Sequence, residues 1–189
     1  MINLFNPDNR RMKKVLLLLP VILSTSLTFG QFKPSEQGSS LKFNIRNLGF
    51  NVPGTFTGFH GFINFDPKVL TAAGFDVSVE SASVNTANVK RDDHLREPDY
   101  FGVKQYPKIR LVSEKIIASS MAGTYSFTGK LTMKGKTQQI TFPFTAVPSG
   151  EGYRFKGSFK INRRDYGVGG FSTLSSELEV LLDVAAIKS

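Results

Sequence analysis

The side chains best able to do chemistry fall in two short runs of the sequence. Arg91, His94 and Arg96 lie among Asp92, Asp93, Glu97 and Asp99, and Arg163-Arg164 precede Asp165. The planar donor fork of arginine suits recognition of a phosphate or a carbonyl. If the two runs meet, Arg91, His94 and Arg164 can cap the polar head of a ligand. The same residues also suit a salt-bridge and hydrogen-bond network through Asp92, Asp93, Asp99 and Asp165 that fixes its own segment. His94 reads equally well as a structural imidazole, and His60, in strand phase with Phe56 and Phe62, can face either side. Adjacent Asp92-Asp93-His94 does not make a metal site. There is no His-Glu-x-x-His, no Gly-x-Ser-x-Gly and no phosphate-cradling glycine loop. Tyr100 and Tyr106 have no paired base in the sequence. With no Cys, thiolate zinc sites, iron–sulfur clusters, disulfides and a thiol nucleophile are excluded. The expectation is a binding protein rather than an enzyme, without cofactor or metal.

The elements that must position these groups belong to a chain of 189 residues, 40% hydrophobic, with 17 Phe and no Trp. That length suits one domain plus a leader. Arg10-Arg11-Met12-Lys13-Lys14 precedes the apolar run Val15 to Leu27, with small residues around Gly30. This reads as a secretory signal peptide over 1–30, leaving a mature domain over 31–189; an uncleaved anchor is the alternative. The run is shorter than the ~20 residues a span needs and contains Pro20, so no stable membrane insertion is expected. The implied location is periplasmic or secreted. Part of the +9 formal charge comes from Arg10, Arg11, Lys13 and Lys14 in that leader. Nucleic-acid binding is not expected, because the strand aromatics share the face opposite the charges.

From Ser39 onward the dominant period is two, the signature of half-buried strands. Tyr153, Phe155, Gly157, Phe159 and Ile161 oppose Arg154, Lys156, Ser158, Lys160 and Asn162. Leu178, Val180, Leu182 and Val184 oppose Glu177, Glu179 and Asp183, and similar alternation surrounds Phe75 and Phe127. Further strands are expected at Leu41–Ile45, Phe56–Phe65, Ile109–Ile117 and around Ile140, where Pro143 hints at an edge or bulge. Short turns between them imply antiparallel neighbours. The expected fold is all-β: an extended eight-stranded antiparallel, lipocalin-like barrel, with a two-sheet sandwich as the alternative. Residues 86–106 break the pattern. Asn88 can cap a short helix that Glu97-Pro98 ends, which makes a helical lid between strands.

A barrel of this size is filled by side chains or holds one small ligand. Phe59-x-Gly61-x-Ile63, Phe127-x-Gly129-x-Leu131 and Phe155-x-Gly157-x-Phe159 each place a missing side chain among inward apolar residues. These glycines either leave room for an aliphatic chain or permit strand bending. The expected lumen is lined by Phe43, Phe59, Gly61, Ile63, Phe75, Phe127, Gly129, Phe155, Gly157 and Phe159. A strand of the length of Tyr153 to Arg164, tilted in a barrel, gives an axial height of ~30 Å, suited to a long thin lipid.

The segment Thr86 to Phe101 with Tyr106-Pro107-Lys108-Ile109, and the segment Asn162-Arg163-Arg164-Asp165-Tyr166-Gly167-Val168, resemble the characteristic segments of the YceI-like family. Gly54-x-Phe56-x-x-Phe59-x-Gly61-x-Ile63-x-Phe65-Asp66 and Gly129-x-Leu131-x-Met133-x-Gly135-x-Thr137 support the resemblance, which spans roughly 36–187. It implies an exported, extended lipocalin-like barrel that binds a polyisoprenoid-type lipid, an isoprenoid quinone or polyprenyl phosphate, in its lumen. Asn47 and Pro53 stand where the family more usually has His and Arg. The expected partner is thus an isoprenoid-like lipid, with a homodimer as a further possibility. The competing reading is a filled barrel acting as an interaction module of the cell envelope.

Overall fold

A computed structural model describes residues 31–170 and 173–189; the expected signal peptide lies outside the described residues. The strands are β1 Gln31–Pro34, β2 Ser40–Asn47, β3 Phe50–Phe56, β4 His60–Asn64, β5 Gly74–Glu80, β6 Lys108–Ala118, β7 Thr124–Met133, β8 Lys136–Ser149, β9 Gly152–Asn162 and β10 Leu174–Lys188. One α-helix, α1 Val89–Arg96, lies between β5 and β6. All strand pairs are antiparallel, in the order β1-β4-β5-β6-β7-β8-β9-β10, and β10 returns to β1 to close an eight-stranded barrel. The expected barrel is present and the sandwich is not.

Ten strands occupy eight positions because two positions are broken. One side of β10 pairs with β2 over Leu174–Asp183 and with β1 over Ala186–Lys188. Next to them, β3 pairs with β2 and β4 with β1. The single strand expected over Phe56–Phe65 is therefore two strands parted at 57–59. Glu36 explains the break: its carboxylate accepts from the backbone N–H of Gly58 at 3.1 Å and of Phe59 at 3.0 Å. A residue in the gap between β1 and β2 thus satisfies the backbone in the gap between β3 and β4, where Gly58 takes φ +75°.

Two other local features follow from residue chemistry. The ladder between β8 and β9 begins at Phe144–Gly157, immediately after Pro143, which has no N–H to offer. Where the two strands part, the rings of Phe142 and Phe159 stack at 4.6 Å and keep the wall packed. In β6 the register shifts between Ser113 and Lys115, making Glu114 a bulge.

The two ends of the barrel differ. One end is closed by an aromatic plug centred on Phe65, with ring centroids 5.2 Å from Tyr125, 5.2 Å from Tyr153 and 5.4 Å from Phe155. Phe32, Phe75, Phe127 and Phe144 complete this core. The other end carries the β2–β3 turn, the 81–107 segment with α1, the β7–β8 turn and the 163–170 segment after β9. A second core there joins Phe56, Val79, Val84, Phe101, Leu131, Met133, Ile161, Tyr166, Val168 and Val180.

Candidate functional site

Between the two cores lies a cavity of about 370 Å³. Leu111, Ile140, Phe159 and Leu182 pack against both cores, and Leu111, Phe159 and Leu182 line the cavity, so they mark its waist. The wall is almost wholly apolar because every strand contributes its inward phase. β10 supplies Leu178, Val180, Leu182 and Val184, and β2 supplies Leu41, Phe43 and Ile45.

Eight of the ten residues expected to line the lumen are in the cavity wall: Phe43, Phe59, Ile63, Phe75, Phe127, Phe155, Gly157 and Phe159. Gly61 and Gly129 are not. A Cβ on Gly61, which has φ +109°, would run into the backbone carbonyl of Asp76. A Cβ on Gly129 would meet the Val112 carbonyl and the Phe127 ring. These two glycines admit a neighbouring strand and a ring; they do not open space in the lumen. At Gly157 a Cβ would also be tight, 3.1 Å from the Pro143 carbonyl oxygen. The cavity therefore owes its room to the spacing of the two cores, and the plug shortens the expected full-height tunnel.

Lys42, Ser78 and Lys156 touch the cavity from the strands, and its remaining polar residues, Asn47, Thr86, Arg91, His94, Arg163 and Thr173 among them, lie at the lid end. Here β3 and β5 are not paired; the seam is bridged by Thr55 and Asn85, whose backbones exchange hydrogen bonds of 2.9 and 3.1 Å. The chain then enters α1, capped as expected by Asn88, whose side chain accepts from Arg91 N–H at 3.0 Å. Glu97-Pro98 ends the helix. Val89 and Leu95 are its only large apolar residues, so polar anchors hold it. Buried Asp92 accepts from the Thr86 backbone N–H and hydroxyl. Arg96 donates to the Ala82 and Val84 carbonyls and pairs with Asp93.

Arg91 and His94 both line the cavity, together with Thr86, Asn47 and Thr173. Arg91 donates from Nε to Thr86 Oγ1 and from Nη2 to the Thr86 carbonyl, each at 2.7 Å. Its Nη1 has no hydrogen-bond partner among the described residues, which leaves one edge of a fixed guanidinium available. The His94 ring packs edge-on to Tyr100 at 4.7 Å. Thr173 donates to Asn47 at 2.7 Å and ties the end of β2, next to the hairpin turn, to the start of β10.

Arg164 is placed differently from expectation. It is exposed on the 3-10 turn after β9 and takes no part in the cavity wall, whereas Arg163 does. The inward phase of β9 runs Phe155, Gly157, Phe159, Ile161 and arrives at Arg163, so strand parity names the inward arginine. Arg163 is 1% exposed. It donates to the carbonyls of Val168 at 2.6 Å, Ser175 at 2.9 Å, Leu174 at 3.0 Å and Gly170 at 3.2 Å. Burial, and then the neighbouring Arg164 charge, pull its pKa below the ordinary arginine range. Its donors hold the β9–β10 connection in place. Among the described residues no group of three or more His, Asp or Glu is placed to hold a metal ion, and no helix is long and apolar enough to cross a membrane.

Residues 32–186 match the YceI-like domain. A UPF0312 protein of Pseudomonas aeruginosa is 31% identical over 192 residues, covering 94% of this chain and 99% of the relative. A UPF0312 protein of Shewanella denitrificans is 29% identical over 162 residues, covering 81% of this chain and 84% of the relative. Among solved structures, Burkholderia cenocepacia BcnA superposes with a TM-score of 0.75 at 25% identity, over 80% of this chain and 98% of that one. The Campylobacter jejuni YCEI protein gives 0.65 at 29% identity, over 74% and 87%. A polyisoprenoid binding domain from Saccharophagus degradans shares the fold, with a TM-score of 0.70 at 15% identity over 84% and 98%.

Proposed function

The chain belongs to the YceI-like domain family, and on that premise we propose that it binds an isoprenoid-type lipid in the barrel and carries or stores it without turning it over. The observation that carries this reading is the apolar cavity of about 370 Å³ between two packed cores, with Arg91, His94, Thr86 and Asn47 at its lid end. Ligand sites commonly have ~300–1,000 Å³. A cavity of ~150 Å³ takes one benzene, so this one holds a stretch of roughly 15 carbons by the same scale. A longer chain of the isoprenoid quinone or polyprenyl phosphate class extends past the waist only by leaving through the lid end. Apolar burial supplies the affinity at roughly 25 cal/mol per Å², before the costs of association.

Head-group selection falls to Arg91 and His94, with Thr86 and Asn47 beside them. An arginine with one free edge favours an anionic head over a neutral one. Export of the mature domain, after removal of residues 1–30, fits a carrier working between membranes.

The test is gentle purification followed by native mass spectrometry and solvent extraction. A bound species of isoprenoid mass is expected, and a protein that carries none, and takes up none when offered polyprenyl phosphate or quinone, overturns the proposal. Arg91→Gln is expected to weaken retention of a polyprenyl phosphate on the order of tenfold while leaving a quinone within a few-fold. Equal loss of both would assign Arg91 to holding the lid instead of the head group.

A further inference from the structure

Three large apolar side chains stand out as the most exposed among the described residues: Phe50 at 77%, Val89 at 75% and Leu48 at 74%. All three lie at the lid end. Leu48 and Gly49 form the two-residue turn of the β2–β3 hairpin, and Phe50 follows, paired with Asn47. Val89 opens α1. The antiparallel Thr55–Asn85 bridge sends the chain from Asn85 alongside β3 in the direction of the hairpin tip, which brings the start of α1 towards it. The cavity wall reaches the same rim, since Asn47 and Val52 line it on the hairpin and Thr86 and Arg91 on the lid side.

The turn itself argues against an accidental leucine. Leu48 has φ +49° and Gly49 φ +87°. A two-residue hairpin turn with both φ positive takes Asn-Gly or Asp-Gly, because a branched apolar side chain is disfavoured in this backbone and gains nothing from water. Leucine here is unfavourable for both turn and solvent, so its advantage lies in an apolar contact outside the barrel. The surrounding charge specifies what that contact carries. Residues 40–56 contain Lys42 and Arg46 and no carboxylate. The first turn of α1 adds Lys90, while Asp92 is buried in its bonds to Thr86 and Asp93 is paired with Arg96.

We infer that Leu48, Phe50 and Val89, set in this basic rim, form a reversible docking surface for an anionic phospholipid bilayer, which brings the cavity mouth to the lipid from which the cargo is drawn. The inference rests on the lipid-binding reading for its purpose, but its geometry stands on the rim alone. A few apolar side chains with adjacent basic residues give weak, salt-sensitive membrane binding of the kind a carrier needs to leave again.

Flotation of the purified protein with vesicles of phosphatidylcholine, with and without phosphatidylglycerol, tests it. The wild type is expected to float with the phosphatidylglycerol vesicles and much less with phosphatidylcholine alone. The double variant Leu48→Asn with Phe50→Thr is expected to lose binding on the order of tenfold. Because asparagine suits the turn better than leucine, the melting temperature is expected to hold or rise, which separates lost docking from lost folding. The variant also retains the lipid found by native mass spectrometry, since neither residue lines the cavity. Wild type that ignores both kinds of vesicle, or a variant that floats equally well, overturns the inference. Self-association of the wild type that the double variant abolishes, without vesicle binding, assigns the tip to a second copy of the chain and overturns it too. Vesicle binding by a protein that never carries an isoprenoid counts against the cavity reading alone.

Discussion

Tyr166 is 1% exposed, and its phenol oxygen has no hydrogen-bond partner among the described residues. The ring fills the lid-end core beside Val168 and Ile161, so the hydroxyl is carried in for the sake of the ring. An unsatisfied buried hydroxyl costs about 1–3 kcal/mol of desolvation, and Tyr166→Phe removes it while keeping the ring. The expected outcome is a stability equal to or up to about 1 kcal/mol above wild type, read from the urea midpoint. Burial, and then Asp165, push the Tyr166 pKa from 10.0 up to about 12. Between those values the unfolded chain has released the proton that the folded chain still holds. Stability from this group is therefore complete below pH 10 and lost as pH rises towards 12, by an amount of order 2 kcal/mol. The Phe variant is expected to lose less stability over that window than wild type. Equal alkaline slopes for the two proteins would mean that the hydroxyl is solvated in solution.

The lid is an element held by polar bonds, and its weakest point is its start. Asn88→Ala removes the acceptor for the Arg91 N–H, which costs about 1 kcal/mol at a helix N-cap. Arg91 is also the residue whose guanidinium faces the cavity, so fraying there loosens the mouth. The expectation is faster amide exchange over 89–96 and quicker lipid release, with exchange in the plug end unchanged; uniform acceleration across the barrel would show that the lid is no independent unit. This helix, its cap and its Pro98 stop were legible in the sequence because each depends on neighbours within a few residues. So were the alternating strands, since parity alone assigns their faces. The split of Phe56–Phe65 was not, because it depends on Glu36 reaching Gly58 and Phe59 from another strand position. The glycines misled for the same reason. Periodicity places Gly61 and Gly129 among inward residues but does not see the Asp76 and Val112 carbonyls that occupy their space. Arg163 was within reach of parity, continuing the β9 alternation one step past the strand's end.

At the scale of the whole molecule, the barrel is two cores held apart, and the space between them is what a lipid can enter. On the outer wall, Arg154 and Lys156 meet Asp183 and Arg110 meets Asp76. Leu111 on β6 and Leu182 on β10 lie four strand positions apart in a ring of eight, so they face each other across the waist. Replacing both by phenylalanine puts two rings into the space between the cores. In a barrel already filled by side chains, such overpacking costs about 1–3 kcal/mol. Where there is room, the added apolar area is buried without displacing neighbours and stability holds or rises. The direction of the change therefore separates a lipid carrier from a filled scaffold without any ligand being identified. With both proteins stripped of lipid, the carrier reading predicts a melting temperature at or above wild type, together with lipid uptake reduced on the order of tenfold or more. A filled scaffold predicts the opposite pair, a lower melting temperature with any envelope interaction intact. Measuring both quantities on the same double variant separates the two readings, since the sign of the stability change reports whether the waist had room for the added rings.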